Sequence, residues 1–291
     1  MRRAAMWLFL IMIVSYSIAY GAVRDMHISW DDDSGLVIND GIVLFSDGDR
    51  SNIDDTQFAE ISDVKRIEIK GISSDMRIVS EDRDNMQVDL NGYYVASGSY
   101  IPPELIVTSS GSTVFIEVKH TKQLTNFTKV SLDLLVTVPQ AYTSGLQVES
   151  VSSDVDIVQG EYEWLNINTV SGDVKVDNVK VDDLSVDTTS GEIDLENGSG
   201  KVSAESVSGD VDLRFVKLTD DIDVQTTSGE VKIMVPDTEN FQVDFRSTSG
   251  GLRSLKSLDN MSSEKRKLNG VMGSGSYDIE VSTVSGDITL R

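Results

Sequence analysis

Acidic side chains recur at one place in a repeated tetrapeptide, and carboxylates so spaced are this chain's best candidates for chemistry. Asp173, Glu192, Asp210 and Glu230 each close a segment of the form Val/Thr-Ser-Gly-Asp/Glu, and Asp154 closes an imperfect Val-Ser-Ser-Asp copy; the series breaks at Gly251 and returns at Asp287. Stacked at the about 4.8 Å separation of neighbouring strands, such carboxylates repel by roughly 1 kcal/mol per contact in water, and by more at lower dielectric. They would need hydration or a cation, and calcium, with its flexible oxygen shell, could bridge successive members. The same tetrapeptide is also ordinary turn chemistry, because Ser and Asp bond nearby backbone groups and Gly admits positive φ. The turn reading outweighs the calcium one. Ser153 stands where the glycine belongs and Gly251 where the acid belongs, and the paired-glycine pattern of calcium-binding β-rolls is absent.

Other residues capable of chemistry do not converge. Asp47-Gly48-Asp49-Arg50-Ser51 opens like an EF-hand loop, but counting from Asp47 puts Asp54 at the apolar eighth position and Phe58 where the bidentate glutamate belongs, so it reads as a solvated loop. The two histidines, His27 and His120, have no acid or nucleophile at a motif spacing, so neither is a candidate general base. With 48 Asp and Glu residues, no single carboxylate pair is informative for glycoside hydrolysis, which needs two held at a defined separation in a cleft. No catalytic or cofactor-binding residue is assigned, and the chain reads as a non-enzyme. Lys265-Arg266-Lys267 reads as a solvated loop tip; its sharper reading is a docking point for an anionic envelope polymer or the acidic face of another copy. Tyr93, Tyr94 and Tyr100, near Pro102-Pro103, could stack on a sugar, although strand aromatics more often pack the end of a core.

The elements that must position these groups are repeats. With glycine as marker, the tetrapeptide recurs at Gly172, Gly191, Gly209, Gly229, Gly250 and Gly286 after an imperfect copy at Ser153, in steps of 19, 19, 18, 20, 21 and 36 residues. A unit of 18–21 residues cannot bury a core alone, so each is one coil of a stack. Alternating apolar pairs flank the turns. Leu146/Val148, Leu165/Ile167, Leu184/Val186, Val202/Ala204, Ile222/Val224, Val243/Phe245 and Ile279/Val281 precede them. Val155/Ile157, Val174/Val176, Ile193/Leu195, Val211/Leu213, Val231/Ile233 and Ile288/Leu290 follow them. Period-two alternation puts each pair on one face, and stacking builds a continuous apolar interior. The fold class is therefore all-β, a parallel β-helix or solenoid, right-handed by the general preference of parallel crossovers.

Outward positions support that stack. Asp156, Lys175, Asp194, Asp212 and Lys232 lie between the post-turn pairs and bring opposite charges together at every contact but Asp194–Asp212. Each such pair contributes only ~0.2–1 kcal/mol, but it fixes register. Segment Gly71 to Val79 resembles Val151 to Val158, so the repeat begins near residue 64. Longer apolar runs at 114–118 and 130–138, the second ended by Pro139, read as strands that cap or start the stack. The widest step holds Asp259 to Gly270, expected as a surface loop at about 255–273. The last coil then runs to Arg291 and leaves an end edge through which a partner or a second copy could associate.

The ends and the composition bound the setting. Arg2-Arg3, the apolar run Ala4 to Val14 and the small residues up to Ala22 have the layout of a secretory signal, residues 1–21, cleaved after Gly21. An uncleaved anchor is the alternative, although the run is short for a spanning helix of about 20 residues. An acidic segment at 22–60 follows as an edge strand or leader, and 61–291 is the solenoid. The net charge is −23, or −25 once Arg2 and Arg3 leave, which excludes a basic nucleic-acid footprint and direct attraction to an anionic membrane surface. The chain contains no cysteine, so stability comes from packing and backbone pairing rather than disulfides.

Three features together carry a family likeness: Val138-Pro139 followed by Leu146-Gln147-Val148, the run of Ser-Gly-Asp/Glu turns, and the closing unit Gly273 to Leu290 with Val284-Ser285-Gly286-Asp287-Ile288. The chain resembles, over about 64–291, the bacterial exported putative-adhesin family of β-strand-repeat proteins. The resemblance implies a parallel β-solenoid, an exported location, extracellular or in the periplasm and cell envelope, and no catalytic residues to carry over. The expectation is a non-catalytic adhesion or envelope-interaction protein whose partner is an envelope protein or polysaccharide. The alternatives are an envelope-stress or signalling accessory with a membrane partner, and a carbohydrate-active β-helix enzyme.

Overall fold

The computed structural model describes residues 28–31, 35–38, 42–43, 49–96, 101–120 and 128–291. The expected signal at 1–21 lies outside the described residues, as do His27, Asp47, Gly48 and Tyr100. The chain divides into two compact units: residues 1–51 with 94–101 and 123–130, and residues 52–93 with 102–122 and 131–291. In the first, β1 (Ile28–Asp31), β2 (Gly35–Ile38) and β3 (Ile42–Val43) form an antiparallel sheet.

The solenoid is built from the strands that follow. They begin with β4 (Asp49–Ala59), β5 (Arg66–Gly71), β6 (Asp75–Glu81), β7 (Met86–Ala96), β8 (Glu104–Ser110), β9 (Thr113–Lys119) and β10 (Thr128–Pro139). The short-period coils contribute β11 (Gly145–Ser150), β12 (Val155–Ser171), β13 (Val174–Ser190), β14 (Ile193–Glu196), β15 (Ser199–Ser208), β16 (Val211–Arg214), β17 (Ile222–Ser228) and β18 (Val231–Met234). Last come β19 (Phe241–Ser249), β20 (Leu252–Ser254), β21 (Asp259–Glu264), β22 (Lys267–Met272), β23 (Tyr277–Ser285) and β24 (Ile288–Leu290). Among the described residues there is no helix.

Pre-turn segments stack in parallel in the order β9, β5, β11, the second halves of β12 and β13, β15, β17, β23 and β19. Post-turn segments stack as β10, β6, the first halves of β12 and β13, β14, β16, β18, β24 and β20. The apolar alternation drives both columns: the pre-turn pairs are at most 3% exposed and the post-turn pairs at most 2%. The longer runs at 114–118 and 130–138 become β9 and β10, one edge of the repeat coils, as their length predicts.

The stack departs from chain order at both ends. The first coil, β5–β6, lies between β9–β10 and β11–β12. The last coil, β23–β24, is inserted between β17–β18 and β19–β20, so the corner glycines stack as Gly229, Gly286, Gly250. The edge expected beyond the final strand is therefore paired on both sides. Composition explains the insertion. Ile288 and Leu290 are fully buried, whereas the 241–254 coil offers a half-buried Leu252 and a polar Ser254 at the matching positions, which suits it to a terminal place.

The segment expected as a surface loop at 255–273 is instead a strand pair. β21 and β22 form an antiparallel hairpin, and β22 lies antiparallel on β19 with Leu268 opposite Phe245, both buried. Every residue of β21 is exposed, so the hairpin carries little of the alternation that marks the coils. At the far end β8 closes the column antiparallel to β9. Gln57 caps β8, donating to the Leu105 carbonyl at 2.8 Å and accepting from the Val107 N–H at 3.2 Å. β21 is irregular between Asp259 and Ser262, with Asn260 at φ 50°. A side-chain cap and a bulge both oppose strand addition at an edge.

Candidate functional site: the corner ladders and the pre-turn face

Each Ser-Gly corner sits almost in contact with the corner beneath it. A Cβ on Gly172 would lie 2.0 Å from the Ser153 carbonyl oxygen, and one on Gly209 1.9 Å from that of Gly191. The acid after the glycine points along the stack rather than away from it. Asp154 accepts from the Asp173 N–H at 2.9 Å, Asp173 from Glu192 at 2.8 Å, Asp210 from Glu230 at 2.7 Å and Asp287 from Gly251 at 2.6 Å. The aspartates thus cap the backbone of the next coil. Gly251 lacks an acid because β20 pairs with β24 alone in its register, leaving no further corner N–H to cap. Among the described residues no three His, Asp or Glu side chains are placed to hold a metal ion. Asp173→Ala is expected to cost about 1 kcal/mol in urea denaturation, and Glu192→Ala less than about 0.5 kcal/mol; equal losses would refute the capping role.

On the post-turn face the expected charge column comes into register, with Asp156 opposite Lys175, Lys175 opposite Asp194, Asp194 opposite Asp212 and Asp212 opposite Lys232, although none of these opposite-charge neighbours closes to an ion pair and Lys232 pairs instead with Glu230 at 2.9 Å. Arg77 extends it with an ion pair to Asp156 at 2.5 Å. The like-charged step is relieved from the adjacent row, where Arg214 reaches Asp212 at 2.8 Å, Asp194 at 3.4 Å and also Glu196. Burial pushes the Asp194 carboxyl above its usual range, and Arg214 pulls it back.

The pre-turn face is different. Its outward row runs through Lys70, Glu149, Asn168, Asp187, Glu205, Gln225, Ser282 and Arg246. Ion pairs on this face gather at its ends: Lys70 to Glu149 at 2.9 Å, Arg246 to Asp244 at 2.5 Å and Lys267 to Asp244 at 3.4 Å. Among the described residues, Asp187 and Glu205 have no basic partner. One residue further along each coil the chain turns inward at Thr169, Thr188, Ser206, Thr226, Thr283 and Ser247, all nearly buried. The next residue turns out again and forms an exposed ridge that includes Val151, Val170, Val207 and Val284, each about half exposed. Between row and ridge lies a groove of about 840 Å³ from Asn168 to Arg266, continued by one of about 590 Å³ from Lys70 to Val170. Sequence reasoning passed over this groove, although its signal is visible: a Ser or Thr always precedes the Val/Thr-Ser-Gly corner.

The remaining candidates do not join it into a catalytic site. Lys265-Arg266-Lys267 sits at the β21–β22 tip, where Arg266 and Lys267 line the end of the groove. Tyr93 and Tyr94 are half-buried on β7. Burial lowers the proton affinity of His120 and raises the pKa of the Tyr142 and Tyr162 phenols. Tyr142 donates to the Gly145 carbonyl at 2.5 Å, a structural bond inside the core.

The sequence pattern of the family described as Toastrack DUF4097 matches residues 64–291. The chain belongs to this family. The match starts two residues before β5 and covers β5 to β24, so the Toastrack region takes in every repeat coil and leaves β4 outside it. None of the curated proteins is significantly similar to the chain. Among solved structures, one named a putative adhesin from Bacteroides fragilis NCTC 9343 shares 13% identity at a TM-score of 0.41, over 83% of this chain and 97% of that one. A putative adhesin from Parabacteroides distasonis ATCC 8503 shares 12% at 0.41, over 84% and 98%. A putative lipid binding protein from the same organism shares 16% at 0.38, over 82% and 96%.

Proposed function

We propose that this Toastrack protein is an exported, non-catalytic solenoid that uses its pre-turn face to bind a component of the cell envelope. The observation that supports this most is the outward row from Asn168 to Ser282, which repeats at every coil, holds no ion pair among the described residues, and is engaged only by in-strand hydrogen bonds of Asn168 with Asn166, Asp187 with Ser185 and Gln225 with Asp223. A rigid stack with fully paired strands presents such a row without the ordering cost that a flexible surface would bear on binding. The test is co-sedimentation of the full-length mature protein with a native envelope fraction, with parallel assays for cleavage of envelope polysaccharide and peptidoglycan. Retention without turnover is the expected result, and N-terminal sequencing of the exported protein is expected to begin at Ala22. Turnover without a stable complex would refute the reading.

A further inference from the structure

We propose that the groove beside the pre-turn column is a binding site for a linear, neutral, hydroxyl-rich polysaccharide lying along the stack axis. The proposal rests on the envelope-binding reading and gives it a ligand class. The two cavities share Asn168 and Thr169 and so form one channel. From Lys70 to Arg246 the registers give seven coil steps, or about 34 Å at about 4.8 Å per step. A polymer with its own short repeat is the natural occupant of so long and regular a channel.

The chemistry of the walls specifies the polymer. One wall offers a polar group at each coil: Glu149, Asn168, Asp187, Glu205, Gln225 and Ser282. Carboxylates accept hydrogen bonds, while amides and the serine hydroxyl both donate and accept, a mixture that sugar hydroxyls satisfy. The other wall is the β-branched ridge, where Val170, Thr189, Val207 and Thr227 supply methyl groups to the C–H faces of a sugar ring. Charge selects against the alternatives. Asp187 and Glu205, uncompensated at the centre, repel a polyanion; Lys70, Arg246 and Lys267 are neutralised in ion pairs with Glu149 and Asp244, so it is Arg266, the basic residue of the lining with no acidic partner among the described residues, that opposes a polycation at one end. A neutral chain meets neither barrier. A protein partner fits poorly, because no aromatic, Leu or Met side chain lines the channel and such residues anchor protein interfaces. The strands under the channel are paired on both sides, so they cannot take up an added strand.

The test is calorimetric titration of the full-length mature protein with linear glucan, mannan and galactan oligosaccharides, with polygalacturonate and chitosan oligomers as charged controls. At least one neutral series is expected to bind, more tightly as the oligomer lengthens, and at least tenfold more tightly than either charged control. The double variant Asp187→Lys, Glu205→Lys and the channel-filling Val207→Trp are each expected to weaken binding at least tenfold with an unchanged thermal midpoint. Lys175→Glu, on the post-turn face, is expected to leave it unaltered. Tighter binding of a charged control, or variants that bind like the parent, would overturn the proposal. If every neutral oligosaccharide fails while the native envelope fraction still retains the protein, the channel proposal falls and the envelope reading stands. If retention is absent as well, both fall.

Discussion

A chain that ends at Met272 is expected to lose the order of residues 241–272 along with the deleted coil, and its thermal midpoint is expected to fall by about 10 °C or more. The stacking order is the reason. β19 and β20 reach the rest of the solenoid through β23 and β24, and the β21–β22 hairpin reaches it through β19. Deletion removes Ile279, Val281, Ile288 and Leu290, each at most 1% exposed and each contributing ~1.5–3 kcal/mol by burial. It also uncovers the β17 and β18 edges on one side and the β19 and β20 edges on the other. In a stack whose stability is a sum of nearest-neighbour contacts, losing an internal coil breaks two interfaces at once. A net loss of about 4 kcal/mol in a domain of this size corresponds to a shift of about 10 °C. Hydrogen exchange should show protection lost across 241–272 and kept from β5 to β16, with partial recovery on adding a peptide of residues 273–291. An unchanged midpoint with 241–272 still protected would mean that this arm docks directly on β17–β18, and the insertion would carry no structural weight.

What the residues disclose and what they conceal has one physical cause: the coils are alike. Alternation around the Ser-Gly turns identifies each inward pair, since Leu184/Val186 and Ile193/Leu195 admit no other face in a half-buried strand. The same likeness conceals the order of stacking, because every coil offers its neighbours an equivalent edge. The deciding differences are small ones, such as Gly251 and Ser254 in place of an acid and an aliphatic residue, which mark a terminal coil only once the capping role of Asp287 is known. The outward charge column from Asp156 to Lys232 follows from register alone. The relief of Asp194 and Asp212 by Arg214 does not, because Arg214 lies in the adjacent outward row and reaches sideways. Likewise, the polar row and the β-branched ridge are both visible as periodic positions. The groove between them depends on how sharply the chain bends at Thr188 and its equivalents, which side-chain type does not specify.

Gly209→Ala is expected to cost about 2–4 kcal/mol, while Gly251→Ala, at the terminal corner, is expected to change stability by less than about 0.5 kcal/mol. At Gly209 the added methyl would stand 1.9 Å from the Gly191 carbonyl oxygen. That atom belongs to the backbone of the coil beneath, so no side chain can rotate away. At Gly251 the nearest atom is a carboxylate oxygen of Asp287, 3.3 Å distant and on an exposed side chain. The chain itself contains a partial control. Ser153 occupies a corner with a Cβ, and there the capping bond from the Asp154 N–H to Asp75 is stretched to 3.3 Å, against 2.7 Å at the Asp210–Glu230 corner. A side chain at the corner is thus accompanied by a looser junction between coils. Gly209 has no such latitude, because its coil is held in register on both faces, by β14 and β18 at the post-turn strand and by β13 and β17 at the pre-turn strand. Widening one corner must therefore strain the junction on the opposite face. Urea denaturation of the two single variants separates the cases. Equal losses would show that the glycines serve the turn conformation alone; a large loss confined to Gly209 would show that the Ser-Gly corner is dictated by the closeness of the coils.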